Sequence, residues 1–207
     1  MRLINRHPDR SGRLLLILLP FALLLFAYFA GSAQRLADNP NDKLLPSASQ
    51  MAAAVDRLAF TEDKRSGNYL FWQDSAASLT RLAMGIGIAA LAGLCLGIAA
   101  GIIPLFGAPL SPLLTVLSMV PPLAILPILF IVFGLGELSK VMLIVIGITP
   151  ILARDLEQRA REIPQEILIK AQTLGASTWT LILRVVLPQL LPRLLIALRL
   201  VLGSAWL

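Results

Sequence analysis

Long runs of apolar residues dominate this sequence. Five runs carry few or no charged residues: Leu14–Ala33, Leu82–Ile103, Leu113–Phe133, Leu138–Leu152 and Gln189–Leu207. About 20 consecutive apolar residues are enough to cross a bilayer as an α-helix. Because backbone groups in hydrocarbon must be hydrogen-bonded internally, helices are the expected form. The pattern predicts an all-α membrane protein with five spans, of which the fourth is shorter than the others.

The composition argues against soluble classes of protein. Hydrophobic residues make up 57% of the 207 residues, against about 45–50% in typical soluble proteins. A soluble globule of this size has too little interior for so much apolar surface. This excludes a soluble enzyme, a disordered chain and a nucleic-acid-binding domain. The expected surroundings are a lipid bilayer, and no nucleic acid is expected as a partner.

The charge pattern and the metal-ligating residues support this interpretation. The net charge is +6, but the 18 Lys and Arg residues lie between the apolar runs and form no single basic face, which is typical of membrane topology. One Cys and one His provide neither a disulfide framework nor an ordinary zinc site. We therefore expect no metal and no cofactor.

The N-terminal segment predicts the orientation. Four arginines precede the first apolar run: Arg2, Arg6, Arg10 and Arg13. Lys and Arg are enriched on the cytoplasmic side, so we expect a cytoplasmic N-terminus. The run also exceeds the roughly 7–15 apolar residues of a signal peptide. Residues 1–33 are therefore expected to form a cytoplasmic tail and an uncleaved first span, residues 34–73 a periplasmic loop, and residues 74–207 the remaining transmembrane domain.

Small residues recur every four positions along the second apolar run. The glycines of this stripe are Gly85, Gly93, Gly97 and Gly101. Residues at this spacing share one helix face, and small side chains there let two membrane helices approach closely. The stripe predicts helix packing, with a substrate path as the alternative.

Three prolines and one arginine are candidates for lining a pore. Pro121, Pro122 and Pro127 lie in the third run. Prolines at membrane depth are tolerated where protein or a water-filled cavity satisfies the freed backbone groups, so these residues either line a pore or only kink a helix. Arg199 lies in the fifth run, where a charge is a functional hypothesis; the alternative is that its side chain reaches a wet interface.

The segment between the fourth and fifth runs predicts two short helices joined by a sharp turn. Pro164 suits the first turn of an amphipathic helix over Gln165–Leu174. Gly175 follows where a helix end needs positive φ, and Ser177 can cap a second helix over Thr178–Leu187. Four apolar residues of the first helix fall on one face: Ile167, Leu168, Ala171 and Leu174. Such a segment needs a partner groove.

These residues resemble the Glu-Ala-Ala loop of type I ABC importer permeases. The pattern is Glu-Ala-Ala, three residues, Gly, nine residues and Ile-x-Leu-Pro. In this sequence Ile169-Lys170-Ala171 stands for Glu-Ala-Ala, so two of the three positions differ. Gly175 matches, a valine replaces the Ile, and Leu187-Pro188 matches the Leu-Pro. Glu166, one turn upstream, is the candidate for the missing acid.

Upstream motifs extend the resemblance to the nitrate/sulfonate/taurine branch of these permeases. They include Ser78-Leu79-x-Arg81, Pro121-Pro122-Leu123-Ala124 and Phe133-Gly134-x-Gly136-Glu137. The resemblance implies that residues 74–207 form an ABC transmembrane type-1 domain in the bacterial inner membrane, with a sixth span beyond the fifth run. It implies ABC ATPase subunits inside, a periplasmic solute-binding protein outside and a second permease subunit, expected to form a homodimer.

In this family the segment over residues 164–178, which we call the elbow, provides the coupling helix that contacts the ATPase. Carried over to this sequence, the coupling residues are Glu166, Lys170, Ala171, Leu174, Gly175, Ala176 and Pro188.

The chain has no Gly-Lys-Ser/Thr phosphate loop, so it is expected to be a permease and not an enzyme. The alternatives are an ion-coupled secondary transporter, which usually carries acidic groups at mid-membrane, and a structural membrane subunit. Glu137 and Lys140 are interpreted as a pair at the rim.

Overall fold

The computed structural model describes residues 9–40, 42–64 and 66–205, without the side chain of Ser204. Within these residues the regular secondary structure is helical, and the helices are joined by turns and short loops. The helices are α1 (Arg10–Asp38), α2 (Ala48–Val55), α3 (Leu70–Ile102), α4 (Pro104–Ser118), α5 (Leu126–Phe133), α6 (Glu137–Arg161), α7 (Gln165–Thr173), α8 (Thr178–Leu181) and α9 (Leu187–Ala205). Shorter helical turns are Asp56–Phe60, Pro122–Ile125 and Ile182–Val186. Arg2 and Arg6, on which the orientation was predicted, lie outside the described residues.

The chain divides into two compact units, Met1–Asp74 and Ser75–Leu207. In the first unit the segment after α1 is ordered by hydrogen bonds to that helix. The Ser32 hydroxyl, on a residue only 3% exposed, donates to the Leu45 carbonyl at 2.9 Å. The predicted loop therefore contains local structure.

Within the described ranges, three helices are long and apolar enough to cross a membrane: α1, α3 and the continuous helix Thr178–Gly203. A fourth span results if Pro104–Ser118 and Pro122–Phe133, which are bent by 89°, count as one. The expected span Leu138–Leu152 is part of α6, which continues to Arg161 because oppositely charged residues four apart support its last turns. By length and composition, the described residues thus supply up to four of the five expected spans.

The third apolar run, Leu113–Phe133, is divided between two helices that meet at a sharp bend. Helix α4 begins at Pro104, in the segment expected to be a connection, and ends at Ser118. Pro104 occupies the first turn, where a missing N–H costs nothing. The break follows from Pro121-Pro122, because each proline lacks an amide donor and disfavours the helical conformation of the residue before it.

The expectation of a separate second elbow helix over Thr178–Leu187 is wrong. A single helix runs over Thr178–Gly203, with Pro188 and Pro192 inside it. A π-helical turn over Ile182–Val186 precedes the first of these prolines. Its wider hydrogen-bond pattern lets the helix continue past a residue that cannot donate.

Helix α6 is the centre of the second unit. It packs against α4, α5 and α9, and its residues Ile148, Leu152 and Leu156 are at most 2% exposed. Val186 and Leu190, from the helical turn and helix after the elbow, complete the same interior. The elbow therefore connects two elements that contribute to the core: α6 before it and the helix with Val186 and Leu190 after it.

Candidate functional site

The elbow, defined as residues 164–178, is built around a sharp turn at the end of α7. The Ala176 amide donates to the Ala171 carbonyl at 3.0 Å, and the Gly175 amide donates to the Gln172 carbonyl at 2.9 Å. This pair of bonds is the Schellman motif, which needs a left-handed residue. Gly175 has φ of +82°. The conformation predicted for Gly175 is therefore confirmed.

The next helix begins directly after this turn. The Ser177 hydroxyl oxygen accepts from the Thr180 amide at 3.2 Å, so Ser177 is the N-cap, as predicted. An N-cap hydroxyl satisfies one amide that has no partner within the helix. The turn and the cap together fix the direction of α7 relative to the helix that follows it.

The expectation of one apolar face of α7 entering a partner groove is wrong in part. Leu168 and Ala171 are half-buried and pack on the core of the second unit. Ile167 is 41% exposed and Leu174 is 88% exposed. A nine-residue helix lying on the bundle must cover the core with one side, so only its other side faces outward. Ile169, 54% exposed, joins the outward apolar group.

Charged residues accompany the outward apolar group. Glu166 and Lys170 are both exposed. They are four residues apart, a spacing that permits an ion pair, but no ion pair between them occurs in the described part of the chain. Ala176, which follows Gly175 in the turn, is half-buried and carries no charge, so the exposed charged residues of this group are Glu166 and Lys170. Both charges therefore remain available to a partner.

Pro188 lies in the exposed part of the helix after the elbow. Just before it, the Leu187 amide donates to the Ile182 carbonyl, five residues back. The Gln189 side chain donates to the Val185 carbonyl at 2.8 Å. These bonds satisfy carbonyls near the proline, so the helix that follows the elbow continues past Pro188 without a break.

The glycine stripe of α3 lies against α6. The glycines and the α6 side chains they face are Gly85 with Ile144, Gly93 with Leu152, Gly97 with Leu156, and Gly101 with Ala160. A Cβ atom added at any of the four would come within 2.5–2.8 Å of its partner's Cβ. At Gly93, Gly97 and Gly101, backbone atoms of α6 also lie within 3.5 Å of the added Cβ position, a close approach that small residues permit in membranes.

A polar network around the buried Glu157 joins α3, α4 and α6 beside the last of these glycines. Glu157 is 6% exposed and pairs with Arg161 at 2.8 Å. Arg161 also donates to the Ser111 hydroxyl at 2.7 Å and to the Ala100 carbonyl at 3.4 Å, and the Ser111 hydroxyl donates to Glu157. Sequence reasoning missed this network. The four-residue spacing of Glu157 and Arg161 was the available signal.

The four pore candidates do not form one site. Pro121 starts the 3-10 turn between α4 and α5, and the ring of Pro122 lies against Gly147 of α6. Pro127 is exposed in the first turn of α5, and Arg199 is exposed on α9. The prolines thus shape the bend in the chain, and lining a pore remains a proposal for all four residues.

A second charged cluster lies where α3 meets the start of α6. Arg81 and Lys140 both donate to the Glu137 carboxylate, Lys140 at 3.0 Å. The hydrogen bond from Arg81, followed by that from Lys140, lowers the pKa of the Glu137 carboxyl below its usual value. The pair expected at the rim is therefore a triad with Arg81.

The family of binding-protein-dependent transport system inner membrane components matches residues 93–207, more than half of the chain. The chain belongs to this family. The match covers the last three glycines of the stripe, the bent pair, α6 and the elbow. Members of the family are inner membrane components of transport systems, so the chain is an all-α membrane protein.

Several relatives of this chain are named as permease proteins of transport systems. The taurine transport system permease protein TauC of Escherichia coli (strain K12) is 40% identical over 135 residues, 65% of this chain and 49% of the relative. The bicarbonate transport system permease protein CmpB of Synechococcus elongatus is 39% identical over 139 residues, 67% of this chain and 49% of the relative. The nitrate import permease protein NrtB of Leptolyngbya laminosa is 38% identical over the same shares. The chain spans about half the length of these curated relatives.

Proposed function

We propose that the chain is the membrane-spanning permease subunit of an ATP-driven importer for a small anionic solute. The observation that carries this proposal is the family match over residues 93–207, which contains the exposed elbow. Taurine, bicarbonate, nitrate and sulfonates, named for the relatives, all carry an anionic group. A related solute fits this chain best.

The partners follow from this proposal. A cytoplasmic ABC ATPase binds the outward residues of the elbow and supplies ATP hydrolysis, and the permease subunit itself is not an enzyme. A periplasmic solute-binding protein delivers the solute, and a second copy of the permease completes the pathway. The exposed Ile167 and Leu174 support the ATPase contact, because apolar residues exposed beside charges are typical of protein interfaces.

Reconstituted transport tests the proposed function. The full-length permease is expressed with the ATPase and binding protein of its own organism, and uptake of radiolabelled taurine, bicarbonate and nitrate is measured. We expect ATP-dependent uptake of one of these solutes, no uptake without the ATPase, and no ATPase activity from the purified permease. Uptake driven by an ion gradient without the ATPase would instead favour a secondary transporter.

The orientation of the chain is tested by thiol labelling. Leu44 is 75% exposed in the expected periplasmic loop, so Leu44→Cys should react with an impermeant thiol reagent added outside. The native Cys95 is replaced by alanine in the same protein, because it is the single cysteine and is exposed. Labelling that occurs only after the membrane is opened would place this loop in the cytoplasm and the N-terminus outside.

A further inference from the structure

A pocket of about 350 Å³ lies between α3, α5 and α6 in the second unit. Its polar lining includes Ser78, Arg81 and Lys140, and its apolar lining includes Leu123, Leu126 and Phe130. Pockets that bind small molecules start at about 300 Å³ and combine a mostly apolar wall with a few polar groups. The size and the lining are therefore suitable for a small organic or inorganic solute.

The charges in and beside this pocket do not balance. Arg81 and Lys140 contribute two positive charges, and Glu137, which contacts both, contributes one negative charge. The Arg81 side chain is only 24% exposed. A positive charge that is partly removed from water attracts an anion more strongly than one in bulk solvent. One monovalent anion would neutralise the triad.

The two cations also have unused hydrogen-bond donors. Arginine has five N–H donors and lysine has three. Arg81 gives its Nε–H to Glu137 and directs one terminal nitrogen to the Ser78 hydroxyl at a long 3.4 Å, while Lys140 gives one donor to Glu137. Within the described residues, neither side chain has a further partner. The remaining donors suit a sulfonate, nitrate or bicarbonate oxygen.

The pocket and the elbow lie at opposite ends of α6. Glu137 is the first residue of this helix and Arg161, which precedes the elbow, is the last. At about 1.5 Å per residue, the 25-residue helix separates them by about 36 Å. If the elbow meets a cytoplasmic ATPase, the pocket opens toward the side from which a solute arrives.

We infer that Arg81 and Lys140 form a binding site for the anionic group of the solute at the outer end of the permease, and that Glu137 holds the two cations in place and competes with the anion. The apolar wall contacts the organic part of a ligand such as taurine. This inference rests on the proposed function and names the solute contact within it.

Direct binding to the permease–ATPase complex in nanodiscs, without the binding protein, tests this site. The probes are radiolabelled taurine and radiolabelled bicarbonate, with nitrate as a competitor. We expect wild-type complex to bind at least one probe, and Lys140→Gln and Arg81→Gln each to weaken binding about tenfold, because each removes a charge-assisted hydrogen bond. Lys140→Gln keeps the Arg81–Glu137 pair, so its effect does not depend on loss of folding.

Glu137→Gln separates a ligand site from an ion pair that only stabilises the fold. At an anion site this variant removes the competing carboxylate, and binding should strengthen about threefold. If the triad is only structural, Glu137→Gln and Arg81→Gln should weaken the protein alike, and that result overturns the inference. Wild-type complex that imports a solute but binds none of the probes also overturns the inference, while the proposed function stands. Binding without ATP-driven import upholds the site and contradicts the proposed function.

Discussion

Replacing Gly175 by valine should abolish ATP-driven import while leaving the permease in the membrane. Gly175 has φ of +82°, which a β-branched residue adopts only with strain. The elbow turn would open, and α7 would no longer present Ile167 and Leu174 to the ATPase. No side chain of the described residues lies within 4 Å of a Cβ placed at Gly175, so the effect comes from the backbone and not from a clash. Uptake and ATPase co-purification at matched membrane levels measure the loss.

Gly175→Asn is the matched control for this experiment. Asparagine tolerates the left-handed conformation better than other non-glycine residues, so this variant should keep most of the import activity. Leu174→Asp should reproduce the loss by placing a charge in the contact, whereas Lys170→Ala should have a mild effect. Normal import by both Gly175→Val and Leu174→Asp would show that the elbow is not the coupling element.

Replacing Gly97 by valine should prevent the second unit from folding correctly. A Cβ at Gly97 would lie 2.7 Å from the Leu156 Cβ, 3.0 Å from the Ala153 carbonyl oxygen and 3.2 Å from the Glu157 amide nitrogen. Two of these atoms belong to the backbone of α6, so they cannot turn away. Overpacking of this kind typically costs about 1–3 kcal/mol or more. Membrane abundance and thermal unfolding of the purified permease measure the effect.

Gly87→Val on the same helix is the matched control. In the part of the chain that the structure describes, no atom outside the adjacent turns of α3 lies within 4 Å of a Cβ at Gly87, and the change in helix propensity is the same. We expect Gly87→Val to accumulate near the wild-type level and Gly97→Val to be degraded or to unfold at a much lower temperature. Equal stability of the two variants would contradict the close packing of α3 on α6.

Features fixed by neighbouring residues were predictable from the sequence. The conformation of Gly175 and the cap at Ser177 depend on a few adjacent residues, so the spacing was sufficient to predict them. The small residues of α3 indicated a close contact, although the pattern could not identify α6 as the partner. That partner is selected by the tertiary packing.

Features that depend on distant residues were not predictable in the same way. The division of α7 into an inner and an outer side requires knowing that Leu168 and Ala171 cover the core. The Glu157 network requires Ser111 of α4, 46 positions away. The continuous helix past Pro188 depends on a π-helical turn, which propensities do not indicate. A sequence pattern identifies which residues are unusual, whereas contacts between helices decide what they do.

The glycine contacts have a mechanical consequence. Backbone atoms of α6 lie against Gly93, Gly97 and Gly101, which span about 12 Å of α3 at 1.5 Å per residue, and these glycines contribute no side chain that could absorb displacement. Helices α3 and α6 are therefore expected to move as one stiff body. Any alternation between outward and inward openings must then take place at softer joints, and the 89° bend between Ser118 and Pro122 is one such articulation.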